Sequence, residues 1–291
     1  MGLQLDFAFE GFRLIRARPK LIALWGIVTL FGYGIATLVL VATAGPVLPV
    51  LSGAGAHPPD TINEAAALQA LTGLLSAAPI WLLTQAVVAC AVCRAGLEDG
   101  EDPFGYLRFG IREVQVLAVM AVTAMLTFMV TVSVISLAGL LGLGAAFTGV
   151  ASVLGTLAGC FVQVRLSLNV PQSFVLRRVD LFGSVPLTRG SFWPLAGGYV
   201  MAFALACIVD YLGETVIRAV VAVLFGDGAA TGIPDMSSLS AFVTPAHTVQ
   251  LAMLLGLVMP QVSAILLGAP LAAWKALSPS VAPAAAVSRL Q

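Results

Sequence analysis

Charge disappears from long stretches of this chain, and those stretches locate its elements. No Asp, Glu, Lys or Arg occurs in 21–59, 65–93, 114–164, 190–209 or 236–274. A helix needs about 20 mostly apolar residues to cross a hydrocarbon core about 30 Å thick. The run 114–164 is more than twice that length, so it predicts two helices joined by a tight turn, with Gly139, Gly142 and Gly144 supplying the turn. With loops set aside, six spans are predicted near 21–44, 68–93, 114–136, 145–166, 191–212 and 247–273.

Helix breakers fall where this division needs them. Gly45-Pro46 and Pro49 end the first span, and His57-Pro58-Pro59 forbids helix in the following loop. Thr61 with Glu64 three residues later reads as a capping box for the second helix, which enters the bilayer near Leu71 and is kinked at Pro79. The first apolar stretch, about 24 residues, exceeds the 7–15 of a signal-peptide core, so Ala54-Gly55-Ala56 reads as loop and not as a cleavage site.

Composition agrees with the pattern. Hydrophobic residues make up 59% and charged residues 10% of 291, against about a quarter charged in a soluble domain. The fold class expected is an all-α membrane protein: six transmembrane helices over 1–275, arranged as three helical hairpins with cytoplasmic interfacial elbow helices, then a short disordered tail at 276–291. Net charge is zero, which gives no electrostatic reason for a nucleic-acid partner.

Charge placement sets the orientation. Arg13, Arg16, Arg18 and Lys20 precede span 1; Arg94, Arg108 and Arg112 lie between spans 2 and 3; Arg165, Arg177, Arg178 and Arg189 lie between spans 4 and 5; Lys275 and Arg289 follow span 6. Only Arg218 falls on the other side. Cytoplasmic loops carry the Lys/Arg excess, so both termini are predicted in the cytoplasm. Twelve arginines against two lysines fit a GC-rich bacterial genome, hence a bacterial inner membrane.

The approaches to spans 1, 3 and 5 share aromatic, glycine and arginine residues: Phe9-Glu10-Gly11-Phe12-Arg13, Phe104-Gly105-Tyr106-Leu107-Arg108, and Phe182-Gly183 with Arg189. This suggests three units, each an elbow and a hairpin. Residues 3–18 and 171–182 mix apolar and basic positions as interfacial helices do, apolar side down and arginines near phosphates. Arg13, Arg16, Arg108, Arg112, Arg177, Arg178 and Arg189 are the candidate headgroup contacts.

Two of these segments also carry a resemblance. Phe104-Gly105-Tyr106-Leu107-Arg108-Phe109-Gly110 through Glu113, and Arg165-Leu166-Ser167-Leu168 through Leu187-Thr188-Arg189-Gly190-Ser191-Phe192-Trp193, resemble uncharacterised bacterial six-span membrane proteins. Those are similar in turn to the membrane domain of some glycerophosphodiester phosphodiesterases. The resemblance implies topology and a loose lipid association. It implies no activity, since this chain has no cluster of His, Glu and Asp to serve a phosphodiesterase.

Candidate chemistry is sparse. Asp210, Glu214 and Arg218 recur every four residues and share a helical face if span 5 continues through them, as an interfacial ion-pair ladder or a polar site near the outer headgroups. A bend at Gly213 is expected to lay 215–225 on the outer leaflet. Pro79 with Gln85, and Pro260 with Gln261, pair a broken helix with a polar side chain and form the candidate cavity of a transporter. Ala151, Gly155 and Gly159 make a small-residue stripe for helix packing, within the bundle or between copies. Acidic Glu98, Asp99, Glu101 and Asp102 read as a solvated loop pairing with Arg108 and Arg112. Cys90, Cys93, Cys160 and Cys207 lie in apolar stretches and read as packing residues; Cys90-Ala-Val-Cys93 has metal spacing but no completing ligands. No catalytic, cofactor or metal site is legible.

The function expected is non-enzymatic, through contacts with membrane lipids or with protein, in the envelope. The alternatives are a small-solute or lipid transporter using kinked helices 2 and 6, and an accessory subunit whose partner is another membrane protein or a second copy.

Overall fold

The structure is a computed structural model describing residues 5–48, 64–98, 102–141, 144–228 and 235–278. A 3-10 turn, Leu5–Phe9, leads into α1 (Glu10–Ala17). Then come α2 (Lys20–Ala44), α3 (Glu64–Leu97), α4 (Ile111–Leu140), α5 (Gly144–Leu166), the short α6 (Asn169–Leu176) and α7 (Phe192–Phe225). The last helical column is α8 (Pro245–Met253), a π-helical turn at Leu254–Val258 and α9 (Met259–Leu277). No strand occurs among the described residues. Six helices are long and apolar enough to cross a membrane, so the chain is an all-α multi-pass membrane protein. The spans pack as consecutive pairs, α2 with α3, α4 with α5, and α7 with α8–α9.

The basic ends of α2, α3, α4 and α9 surround one core, and α3 is its centre. Every residue from Val88 to Ala95 is buried. That is more than two turns, so neighbours cover all faces of the helix. Ala86, Ala89, Cys90, Ala91, Cys93 and Ala95 are small enough to let those neighbours approach. Farther from the basic end, large apolar side chains such as Phe31, Leu75, Phe128 and Phe203 are more than half exposed, as a lipid-facing surface requires.

The proline in the last column shows how an interrupted helix is repaired. Pro260 has no N–H, which frees the Gly256 carbonyl, and the π-helical turn precedes it. A side chain on Gly26 would sit 2.0 Å from that carbonyl oxygen, so only glycine lets α2 come this close. One turn on, Thr29 is fully buried and its hydroxyl donates to the Leu255 carbonyl at 2.6 Å. The Gln261 amide donates to Leu257 O at 2.8 Å. Thr29 from the neighbouring helix and Gln261 from the same one thus donate to the carbonyls on either side of Gly256.

Several expectations need correction. α7 runs unbroken from Phe192 to Phe225, with no bend at Gly213; Ile217 and Val221 pack with Val258, and a Cβ on Gly213 would meet Val258 at 2.5 Å. Residues 215–225 therefore extend the span, because packing on the last column holds the helix straight. Phe12, Val179 and Phe182 of the two elbows are exposed as expected, but most of the first elbow's apolar side faces the bundle and not lipid. Phe7, Ala8, Gly11 and Ile15 are buried, with Gly11 against Ala264 and Gly268 and Phe7 against Gly198. Helices form ahead of spans 1 and 5, but the approach to span 3 is a turn, with Gly105 and Tyr106 both in the left-handed region. The stripe Ala151, Gly155, Gly159 packs as expected, and of the two expected uses it serves the one within the bundle, inside the α4–α5 hairpin, where Gly155 faces Thr131 O and Gly159 faces Thr131 Oγ1. His57, Thr61, Asp99, Glu101, Gly142 and the tail beyond residue 278 lie outside the described residues.

Thr29→Val keeps the shape and removes the donor to Leu255. We expect a loss of about 1 kcal/mol, read as a lower thermal midpoint in detergent. An unchanged midpoint would mean that the π-helical turn needs no partner from α2.

Candidate functional site

Twelve basic residues are described at one end of the bundle, and the segment linking α3 to α4 organises several of them. α3 ends inside the core, so Arg94 emerges with only 4% of its surface exposed. A guanidinium in such a place must be paired. Its Nη2 donates to the Glu113 carboxylate, itself 1% exposed, from the first turn of α4. Its Nη1 donates to Tyr106 O at 3.0 Å.

That second bond requires an unusual backbone. Gly105 (φ 65°) and Tyr106 (φ 62°) turn left-handed in succession. The turn aims two carbonyls at the bundle, where Gly105 O accepts from Trp25 Nε1 at 2.8 Å and Tyr106 O accepts from Arg94. A side chain at 105 would also strike Leu24 at 2.8 Å, so the position needs glycine twice over. The last carbonyls of α3 are capped by cations from elsewhere in the chain. Arg18 Nη1 donates to Ala95 O at 3.0 Å and to the Tyr106 hydroxyl at 2.7 Å, and Lys275 Nζ donates to Gly96 O.

Around this knot lies a cleft of about 380 Å³, lined by Arg94, Arg108, Arg112 and Arg177, by Glu98 and Glu113, and by Phe109 and Ile111. The buried ring of Phe174 in α6 supports it, with the guanidinium carbons of Arg94 and Arg112 each 5.5 Å from its centroid. Arg177 follows α6 in the left-handed region (φ 54°), which ends the helix there. Arg108 pairs with Asp102 at 2.8 Å, and Asp102 also accepts from Phe104 N at 2.8 Å. Those two donors, the backbone N–H first, hold the Asp102 carboxyl below its ordinary 3.8, and Asp102 raises Arg108 in turn.

The predicted site residues divide sharply. Arg108, Arg112 and Arg177 come together in this cleft. Arg13 is exposed beside Asp6 and Glu10 at 3.9 and 4.0 Å, and Arg178 sits 3.6 Å from Asp180. Arg16 and Arg189 are exposed and lie apart from the cleft. Asp210, Glu214 and Arg218 do share one continuous helix, and Glu214 pairs with Arg218 at 2.5 Å, half exposed. Pro79 is exposed, while Pro260 is buried and the Gln261 amide is engaged by its own helix. Gln85 lies with Ser263 beside the buried hydroxyl of Tyr33. Cys90 and Cys93 are buried core residues, and among the described residues no three His, Cys, Asp or Glu groups gather as metal ligands.

Sequence reasoning missed the Arg94–Glu113 pair and the buried Tyr106. One signal was present: Arg94 directly ends one charge-free run and Glu113 directly precedes the next, across a single loop. No family model, curated protein or solved structure matches the chain.

Arg94→Met strands Glu113 in the core and is expected to cost about 3–5 kcal/mol, whereas Arg94→Met with Glu113→Leu should recover most of it. Equal losses in the single and double variants would assign the effect to packing and not to charge. A second expectation concerns acid. Because the folded Asp102 carboxyl is held below 3.8, its contribution is complete above that value and lost as pH falls through the lower folded one. Protection of the Phe104 amide from hydrogen exchange, taken relative to the intrinsic rate at each pH, should fall over that window in the wild type. Asp102→Asn should abolish the pH dependence; a persisting one would place the titrating group elsewhere.

Proposed function

We propose that the protein is a non-catalytic bacterial inner-membrane protein, with its basic end in the cytoplasm, that works through contacts with anionic lipids of the inner leaflet. One observation carries this reading: the arginine-rich cleft opens where apolar spans meet the polar end of the bundle, and it combines guanidinium groups with exposed Phe109 and Ile111, 71% and 72% accessible. Anionic headgroups above acyl chains have that same division of character. Arg165 repeats it outside the cleft, its guanidinium 5.4 Å from the rings of both Phe161 and Phe192, with Trp193 81% exposed alongside.

The transport reading draws less support. The Leu255 and Leu257 carbonyls ahead of Pro260 have side-chain donors, and Gly26 closes α2 onto the break. The accessory-subunit reading loses its named docking stripe to the α4–α5 hairpin.

Reconstitution into nanodiscs of zwitterionic lipid with and without an anionic phospholipid tests the proposal. Native mass spectrometry of the released protein should find anionic lipid enriched over its share of the bilayer, and added salt should reduce the enrichment. A bound population that mirrors bulk composition at every salt concentration would sink it.

A further inference from the structure

One guanidinium outside the cleft has no acceptor supplied by the protein. Arg13, Arg94, Arg108, Arg178 and Arg218 each have a carboxylate oxygen within 4.0 Å. Arg165, in the last turn of α5, has neither a carboxylate partner nor a side-chain hydrogen bond among the described residues. Arg16, Arg177 and Arg189 are exposed, so water can meet their donors, whereas Arg165 is only partly exposed. Withdrawing a guanidinium from water without giving it an acceptor is costly, so a partner from outside the chain is called for.

The surroundings say what kind of partner fits. Phe161 of α5 and Phe192 of α7 touch, with ring centroids 5.0 Å apart, and the Arg165 guanidinium carbon lies 5.4 Å from each. Those distances make a nearly equilateral triangle, so both rings lie on one side of the guanidinium and its other side stays open. The buried Ser184 donates its hydroxyl to the Arg165 carbonyl at 3.2 Å and fixes the end of α5 beneath it. Trp193 stands edge-on to Phe192 at 5.3 Å, and Phe161 and Trp193 are 49% and 81% exposed. Aromatic side chains so placed at the basic end of the spans mark the level of the headgroups.

We propose that Arg165 holds the phosphodiester group of a phospholipid at the seam between α5 and α7, a site separate from the cleft; this rests on the lipid-contact reading above. The guanidinium fork matches two oxygens of one phosphate, and the single charge of a phosphodiester meets a cation that no carboxylate of the chain pairs. The ring platform fixes the plane of the fork, which a lone surface arginine must order at the cost of side-chain entropy. Leu157 and Leu154, one and two turns outward from Phe161 on α5 and more than half exposed, continue an apolar face for an acyl chain. That face, with Trp193 beside it, favours a lipid over a soluble phosphate ester.

The test uses the full chain in nanodiscs of phosphatidylethanolamine and phosphatidylglycerol, with retained lipids counted by native mass spectrometry as collision energy is raised. Arg165→Gln should retain one phospholipid fewer than the wild type, the fully loaded population falling about tenfold, as for one hydrogen bond to a charged group. Arg16→Gln and Arg189→Gln, at exposed positions, should keep the wild-type number. Arg177→Gln, in the cleft, should act independently, so that the losses add in the double variant. A wild-type lipid count in Arg165→Gln, or a double variant no worse than Arg177→Gln alone, overturns the assignment, while anionic enrichment in the wild type leaves the broader reading standing. A wild type that retains no phospholipid defeats both. Solid-state NMR of protein labelled with 15N-arginine, in the same bilayers, gives a second reading that does not depend on lipid counts. Lipid phosphorus should dephase a guanidinium component that Arg165→Lys removes, and identical dephasing in the two proteins would overturn the site. Displacement of the lipid by inorganic phosphate or glycerol 3-phosphate at comparable concentration would assign Arg165 to a soluble phosphate and overturn the lipid source.

Discussion

A guanidinium surrounded by apolar helices is costly to bury unless the donors it turns inward are met, and Arg94 is held under that constraint. Its partners come from two places: the Glu113 carboxylate at the start of α4 and the Tyr106 carbonyl in the preceding turn. Meeting both dictates the path of residues 102–113. The backbone must pass through the left-handed region twice, Gly105 must lie against Leu24, and α4 must begin within reach of the end of α3. Replacing a buried pair by well-packed apolar groups is often neutral, so the pair's value lies in specifying this arrangement more than in net stability.

The arrangement has a consequence at the surface. Once the turn is set, Arg108, Arg112 and the helix start at Gly110 can only face the concavity between α4 and the end of α6, where Arg177 arrives. Phe174 links the two levels, one ring supporting the buried Arg94 and the rim residue Arg112. The cleft is therefore the outer face of a core interaction.

A similar logic governs the interior of the last span. The last column is interrupted at Pro260, yet the interruption is closed by Gly26, Thr29 and Gln261. The contact between α2 and the π-helical turn is among the closest backbone approaches in the protein. In hydrocarbon, an unsatisfied carbonyl costs several kcal/mol, which explains why a small residue and a hydroxyl stand one turn apart on the facing helix.

The six spans, their approximate limits and the gathering of basic residues at one end were legible in the sequence, because membrane burial forces each helix to be apolar over its whole length and leaves charge only at its ends. The pairing of Asp102 with Arg108 and of Glu214 with Arg218 followed from short separations along the chain. What lay beyond reach was which surface each apolar residue covers. A span in lipid is apolar toward its neighbours and toward the bilayer alike, so no periodicity told that α3 is enclosed, that α7 continues past Gly213, or that the apolar side of α1 faces α9. Only the tertiary structure decided that Arg94 is buried, and with it that Arg177, far along the chain from Arg108 and Arg112, shares one cleft with them.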